Sequence, residues 1–361
     1  MALIALALSL IALSACAPGP PGEAPDATPA PPSEVVIDGF ETLVSDAATD
    51  LALPVGLEVD AAGNVWVVDR RLAQVLVVAP DGAVLRTIGR NGEGPGEFRL
   101  PANVGVRGDR AFVHDNFHDV QIFDMAGEYL DARPTTGRIF DSFDFTGDGG
   151  SVYSNNRVNA GGALVAVEGP DGEPIATLGE PPFPEATNWD FLTLRDQLLD
   201  GTIPPELRNT ALPVAALDGS LWALLQTEAT LRRYAADGAL LAETTFELPE
   251  LEGMKEQYFE DFRTAPGSDV FFFPSMADDG FATGDSLLLL WGTVAGQPGL
   301  ITIHDASGAL TQRWLLPELD SGGGGMVSLR LALDVPRRRL YVSVSDIATV
   351  FAVDLPEEVT F

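Results

Sequence analysis

One pattern of residues, written six times, constrains this chain more than any other feature. Leu57-Glu58-Val59-Asp60, Gly63-Asn64, Val65-Trp66-Val67-Val68-Asp69, Val75-Leu76-Val77-Val78, Asp81-Gly82 and residues 84–88 follow one another. They read as strand, turn, strand, loop, strand, turn, strand, because Gly-Asn and Asp-Gly between β-branched runs punctuate hairpins. One such meander takes roughly 35 residues. It recurs with strands at 104–106, 111–115, 120–124 and 128–130, then at 143–145, 152–154, 164–167 and 175–178. A fourth copy has 214–216, 221–224, 231–234 and 240–241, and a fifth has 287–290, 300–303 and 310–311. The first strand of that fifth copy is read through Ala282. The last copy gives 329–333, 340–344 and 350–353 and then stops one strand short.

A lone meander buries one poor face, so such repeats must stack to share a core. Closing them radially protects their edges, which is the β-propeller solution. The expected fold is therefore all-β: a six-bladed propeller of four-stranded antiparallel blades. Residues 40–44 are the natural donor of the missing strand, pairing beside 350–353 and sealing the ring with the two chain ends. A β-sandwich is the competing architecture, but sandwiches do not repeat one meander six times.

Ahead of the repeats, residues 2–15 form an unbroken apolar run, too short for the ~20 residues of a membrane-spanning helix but right for a signal peptide. The run ends at Leu13-Ser14-Ala15-Cys16, which resembles the lipobox of bacterial lipoproteins. A buried helix that happens to end in Cys is the plain alternative. The resemblance implies removal of 1–15, lipidation of Cys16 and tethering to the bacterial cell envelope, periplasmic or surface-exposed. Ala17 stands where Asp would mark inner-membrane retention, which favours the outer membrane. Residues 16–34 are Pro-rich and cannot build helix or sheet, so they read as an extended spacer. The propeller is expected over 35–361.

Residues 88–101, IGRNGEGPGEFRLP, sit just before a first strand. This GxGPGEF-x-x-P run, with Val120-Gln121-Ile122-Phe123-Asp124, resembles the NHL-related six-bladed β-propeller lipoproteins of bacteria. The resemblance implies the fold, and that family has no single activity. The glycines suit corners with φ > 0, and Phe98 is placed to plug the seam between two blades. With no helix following and no Gly-Lys-Ser/Thr, the loop is not a phosphate cradle.

Charge excludes further classes. The sum is 21 Lys+Arg against 53 Asp+Glu, a net of −32 over 361 residues, which repels phosphate backbones and rules out nucleic acid as a partner. A lone Cys excludes a disulfide framework, a Cys-rich zinc site and an iron–sulfur cluster.

Candidate binding residues fall on the face shared by the loops joining strand four to the next strand one and strand two to strand three. These are Asp69, Arg70, Arg71, Arg90, Glu93, His114, Asp115, Asn116, His118, Arg138, Asn155, Asn156 and Arg157. A solvated loop surface is the bland reading of the same residues. Two insertions, 181–211 and 250–265, carry helical patterns, the second with Tyr258, Phe259 and Phe262. They read as lids, or as plain packing on the blades. At the middle of the first strands, copies carry Glu58, Gly105, Asp144, Ala215, Ala282 and Ala332. Glu58 and Asp144 would face the central channel, holding Ca²⁺ or standing hydrated. No Gly-x-Ser-x-Gly or His-Glu-x-x-His appears, and calcium-dependent lactonases share only the blade plan. Two functions follow: a lipid-anchored binding or scaffold module for a protein, peptide or glycan, acting as a monomer, or a calcium-dependent hydrolase, lactonase or lyase at the channel.

Overall fold

The computed structural model of the chain describes residues 31–115, 119–137, 142–154, 162–184, 190–264, 274–283, 285–294, 296–318 and 328–361. The apolar run, Cys16 and the spacer as far as residue 30 lie outside them. Among the described residues no helix is long and apolar enough to cross a membrane.

Six sheets form, one per repeat, each an antiparallel meander in chain order. Blade 1 runs from its inner strand Pro54–Val59 through Val65–Asp69 and Gln74–Val78 to its outer strand Val84–Ile88. Blades 2, 3 and 4 begin at Pro101–Arg107, Phe143–Phe145 and Ala211–Ala215, and blades 5 and 6 at Ala277–Thr283 and Leu329–Asp334. Blade 6 contributes three strands of its own, ending with Thr349–Asp354. Its fourth is Glu41–Ser45, antiparallel, with Glu41 opposite Ala352, Thr42 opposite Phe351 and Val44 opposite Val350. The ring is therefore sealed by the two chain ends. Arg339 crosses that junction, holding Asp354 at 2.9 Å and also Glu41.

One strand was not expected. Ser33–Val36 adds to the outer edge of blade 5, parallel to Leu310–Leu316, so that blade has five strands. The folded body thus begins at Ser33, inside the segment read as spacer. Ile37 then drops, fully buried, into the seam between blades 5 and 6 beside Trp314, Leu316 and Val353.

Each blade buries both faces against its neighbours, and the apolar core is six clusters, one per seam. Phe98 is fully buried between blades 1 and 2 and packs on Phe123, 5.8 Å between ring centroids. Gly89, at φ 83°, leaves it room, since a β-carbon there would run into the Phe98 ring.

Candidate functional site

The inner strands of all six blades line an axial cavity of about 270 Å³. Glu58 and Asp144 do face it together, but a third residue stands between them. Arg107, at the end of blade 2's inner strand, donates to Glu58 Oε2 at 2.8 Å and to the carbonyls of Val106 (2.9 Å), Phe145 (2.7 Å) and Thr146 (3.2 Å). The pair lies well inside the ring, with side-chain exposures of 11% and 18%. Asp144 Oδ1 accepts from the Phe145 amide at 2.7 Å, and its Oδ2 accepts from Ala215 of blade 4 at 2.8 Å. Asp279 repeats this device between blades 5 and 6, accepting from the amides of Gly280 (3.0 Å) and Leu331 (2.9 Å). Asn103 does the same from blade 2 to blade 3, accepting from the Val104 amide and donating to the Phe143 carbonyl at 2.5 Å. Inner-strand Asx side chains therefore staple one blade to the next, because their short arms reach a neighbouring backbone where a β-branched residue offers no acceptor.

Arg330 of blade 6 completes the channel wiring, donating to Val55 O (2.8 Å) in blade 1 and Asp278 O (2.7 Å) in blade 5. Enclosure raises the acids around it. Burial pushes the Asp144 carboxyl up to about 6, with Arg107 pulling the other way. Burial likewise lifts Asp278 to about 7, opposed by Arg330 and reinforced by Asp279, whose own carboxyl is also raised by burial. A carboxyl raised in the folded state holds its proton more tightly there than in the unfolded chain. Its contribution is complete below the unfolded value, ~4, and is lost as pH climbs through about 6 and 7. Thermal melts should therefore show a Tm several degrees higher at pH 5 than at pH 8. Asp278→Asn should flatten that slope; an unchanged slope in this variant would contradict the assignment.

On the loop face, the candidate acids prove to be clamps. Asp69 is fully buried at the end of blade 1's second strand and accepts from the amides of Ala52 (2.7 Å), Leu53 (3.1 Å), Arg71 (3.0 Å) and Leu72 (3.1 Å). Asp115, in the same place in blade 2, accepts from Arg99 and Leu100 at 2.7 and 2.8 Å. Ser154 and Ser345 hold the Ser142 and Ser328 amides from the same position in blades 3 and 6. In blades 1, 2, 3 and 6 the polar residue at the end of the second strand thus fixes the segment leading into its own blade, whereas Gln226 of blade 4 accepts from Met276 N and Ala277 N at the start of blade 5. His114 is buried and stacks on Phe143, 4.1 Å and 10° apart. Arg70 is half-buried, donates to Pro101 O at 3.4 Å, and is pushed down to about 10 by burial and Arg330.

Exposed charge on this face gathers where blades 1 and 2 meet. Arg71, Arg90, Glu93 and Arg99 are all exposed. The glycine-rich loop below them is tied together by one carboxylate: Glu97 takes the amides of Glu93 (3.1 Å) and Gly94 (3.0 Å) and pairs with Arg90 at 2.7 Å. Gln121 grips both sides of it, accepting from Gly96 N at 2.9 Å and donating to Glu97 O at 2.6 Å. Of the remaining candidates, Asn116, His118, Arg138, Asn155, Asn156 and Arg157 lie outside the described residues.

The insertions fold as helices. Asp190 caps α1 (Phe191–Leu199), accepting from Leu192 N, and Gly201 at φ 78° follows its end. A short α2 (Pro205–Arg208) was not anticipated. In α3 (Glu250–Thr264), Leu251, Met254, Tyr258 and Phe262 are buried in the cluster that joins blades 4 and 5, while Phe259 packs partly buried at its edge. Their aromatics are packing.

No protein-family model and no curated protein sequence matches this chain. Solved structures do. A streptogramin B lyase aligns over 88% of this chain and 98% of its own at TM-score 0.51 and 9% identity. The calcium-binding protein regucalcin from Agrobacterium tumefaciens covers 90% and 95% at TM-score 0.51 and 10% identity. The Xanthomonas campestris gluconolactonase covers 88% and 89% at TM-score 0.50 and 15% identity. These neighbours are six-bladed β-propellers, and at such identities the likeness shows the fold.

Calcium can be tested against the donors themselves. Glu58 is paired with a guanidinium, and both oxygens of Asp144 and Asp279 face amide donors. Among the described residues no three His, Cys, Asp or Glu side chains converge on one point. That arrangement does not fit a cation that wants six to eight oxygens.

Proposed function

We propose that the protein is a lipid-anchored binding or scaffold module of the bacterial cell envelope, tethered through Cys16, which meets a protein, peptide or glycan partner on its loop face. The observation that carries the reading is the contrast on that face. Buried clamps at Asp69, Asp115 and Gln121 hold the backbone still, while Arg71, Arg90, Glu93 and Arg99 stand exposed above it. Charged side chains on a fixed frame lose less freedom when they engage a partner.

Chemical cross-linking in intact envelopes tests this. The wild-type chain is expected in the membrane fraction with discrete cross-linked products. Arg71→Glu with Arg99→Gln, which leaves Arg90 in its pair with Glu97, should remove those products without lowering Tm, and an unchanged pattern would count against the face. Cys16→Ser should release the chain from membranes.

The second reading, a calcium-dependent hydrolase, lactonase or lyase, is favoured by the axial cavity and by acids raised toward neutrality, as acid–base chemistry requires. Its metal lacks a shell among the described residues. Purified protein is therefore expected to carry no stoichiometric metal and to melt at the same temperature with and without Ca²⁺. A calcium-dependent rise in Tm would revive the enzyme.

A further inference from the structure

Large apolar side chains are exposed in a regular place. Among the described residues, seven of the eleven exposed large hydrophobics occupy the first two positions of a blade's outer strand. They are Val84 and Leu85 in blade 1, Tyr129 and Leu130 in blade 2, Ile175 in blade 3, and Leu240 and Leu241 in blade 4, all between 36% and 65% exposed. Each follows the turn that joins strand three to strand four. In a meander this turn and the one joining strands one and two open on the same side, opposite the loop face. Leu217, 73% exposed on the first turn of blade 4, adds to that side. Equivalent positions of a closed repeat ring lie at one height along its axis, so these side chains form an arc in one plane. Scattered exposed hydrophobics need no explanation, whereas an arc repeated over four successive blades does.

The point where the chain enters the ring continues that arc. Ser33 pairs with Gln312, two residues beyond Leu310, which is blade 5's counterpart of Leu240. Seventeen residues, Cys16 to Pro32, connect this point to the lipidated cysteine. We infer that the arc is a membrane-resting surface: the side opposite the loop face lies on the lipid bilayer and points the loop face away from it. This placement rests on the lipid anchor proposed above. With acyl chains already in the bilayer, the tether supplies a high local concentration and a weak apolar contact suffices. Exposed Asp81, Glu128, Glu173 and Asp237 flank the arc, so the lipid it suits is zwitterionic rather than anionic.

The test uses the full lipidated protein in phosphatidylethanolamine/phosphatidylcholine vesicles. Lipidation occupies the Cys16 thiol, so a cysteine introduced by Leu85→Cys, Leu241→Cys or Arg71→Cys takes a fluorophore on its own. Labels at 85 and 241 are expected to shift blue and lose about threefold in quenching by aqueous iodide when vesicles are added, as side chains entering the interface do. The label at 71 should not change. Equal accessibility of all three labels on membrane-bound protein would overturn the placement and leave the anchor standing. Shielding at 85 and 241 without vesicles, in a dimer, would assign the arc to a second copy and also overturn it. Mass analysis of the N-terminal peptide reads the anchor separately: an unmodified Cys16 would remove the premise and the placement together.

Discussion

A chain that starts at residue 46 is expected to lose cooperative unfolding altogether. Such a chain lacks Glu41–Ser45, which leaves the Thr349–Asp354 edge of blade 6 unpaired. It also withdraws Ile37, Leu43 and Val44 from the seams on either side of that blade. Each buried aliphatic contributes roughly 1.5–3 kcal/mol, so the three together amount to roughly 5–9 kcal/mol, on the scale of a whole domain's stability. Arg339 loses one of its two carboxylate partners, Glu41, as well. A chain starting at residue 37 lacks the parallel strand but keeps Ile37 and the closing strand, and it should retain a cooperative melt at a Tm lowered by several degrees. Circular dichroism during heating distinguishes the two. A cooperative, wild-type-like melt of the shorter chain would show that the ring closes without its N-terminal strand.

The second large effect is expected at Arg107. Removing the guanidinium by Arg107→Ala leaves Glu58 without its partner and takes one donor each from the carbonyls of Val106, Phe145 and Thr146, the last of which keeps the Gly149 amide. Breaking one side of a buried pair typically costs about 3–5 kcal/mol, because a charge remains with nothing to answer it. Glu58→Gln added to Arg107→Ala should recover part of the loss, and urea midpoints of the four chains give the coupling between the two residues. Strict additivity would mean that the pair does not act as one.

Much of this architecture is legible from turns and strand spacing. Asp-Gly and Gly-Asn punctuation fixes the meander, since few residues other than glycine accept φ near 85° at Gly63, Gly82, Gly172 and Gly238. The closing strand is readable because a repeat that stops one strand short must find its partner elsewhere. Ser33–Val36 is not, for four residues of mixed character after a proline run carry no period. The candidate site is less legible. Glu58 and Asp144 stand out by comparing copies of the repeat, but Arg107 sits at a strand end beside Gly108 and resembles a turn residue. Blade 5's inner strand, ADDGFAT, lacks the β-branched run that marks a strand, which hides Asp278 and Asp279. Asp69 and Asp115 look like ligands because polar residues at loop ends often are. Only their four and two amide donors identify them as clamps. A side chain's partners depend on distant backbone, and no local pattern records that.

The closed ring can be tested with one cross-link. Thr42 and Phe351 are direct partners across the junction of the chain's two ends, and directly opposed residues of antiparallel strands lie ~4.5–5.5 Å apart, within the reach of a disulfide. In a Cys16→Ser chain carrying Thr42→Cys and Phe351→Cys, mild oxidation of the native protein should remove both free thiols and raise Tm. If both thiols stay reactive in the folded protein, the ends are not joined, and the six-bladed ring described here is wrong.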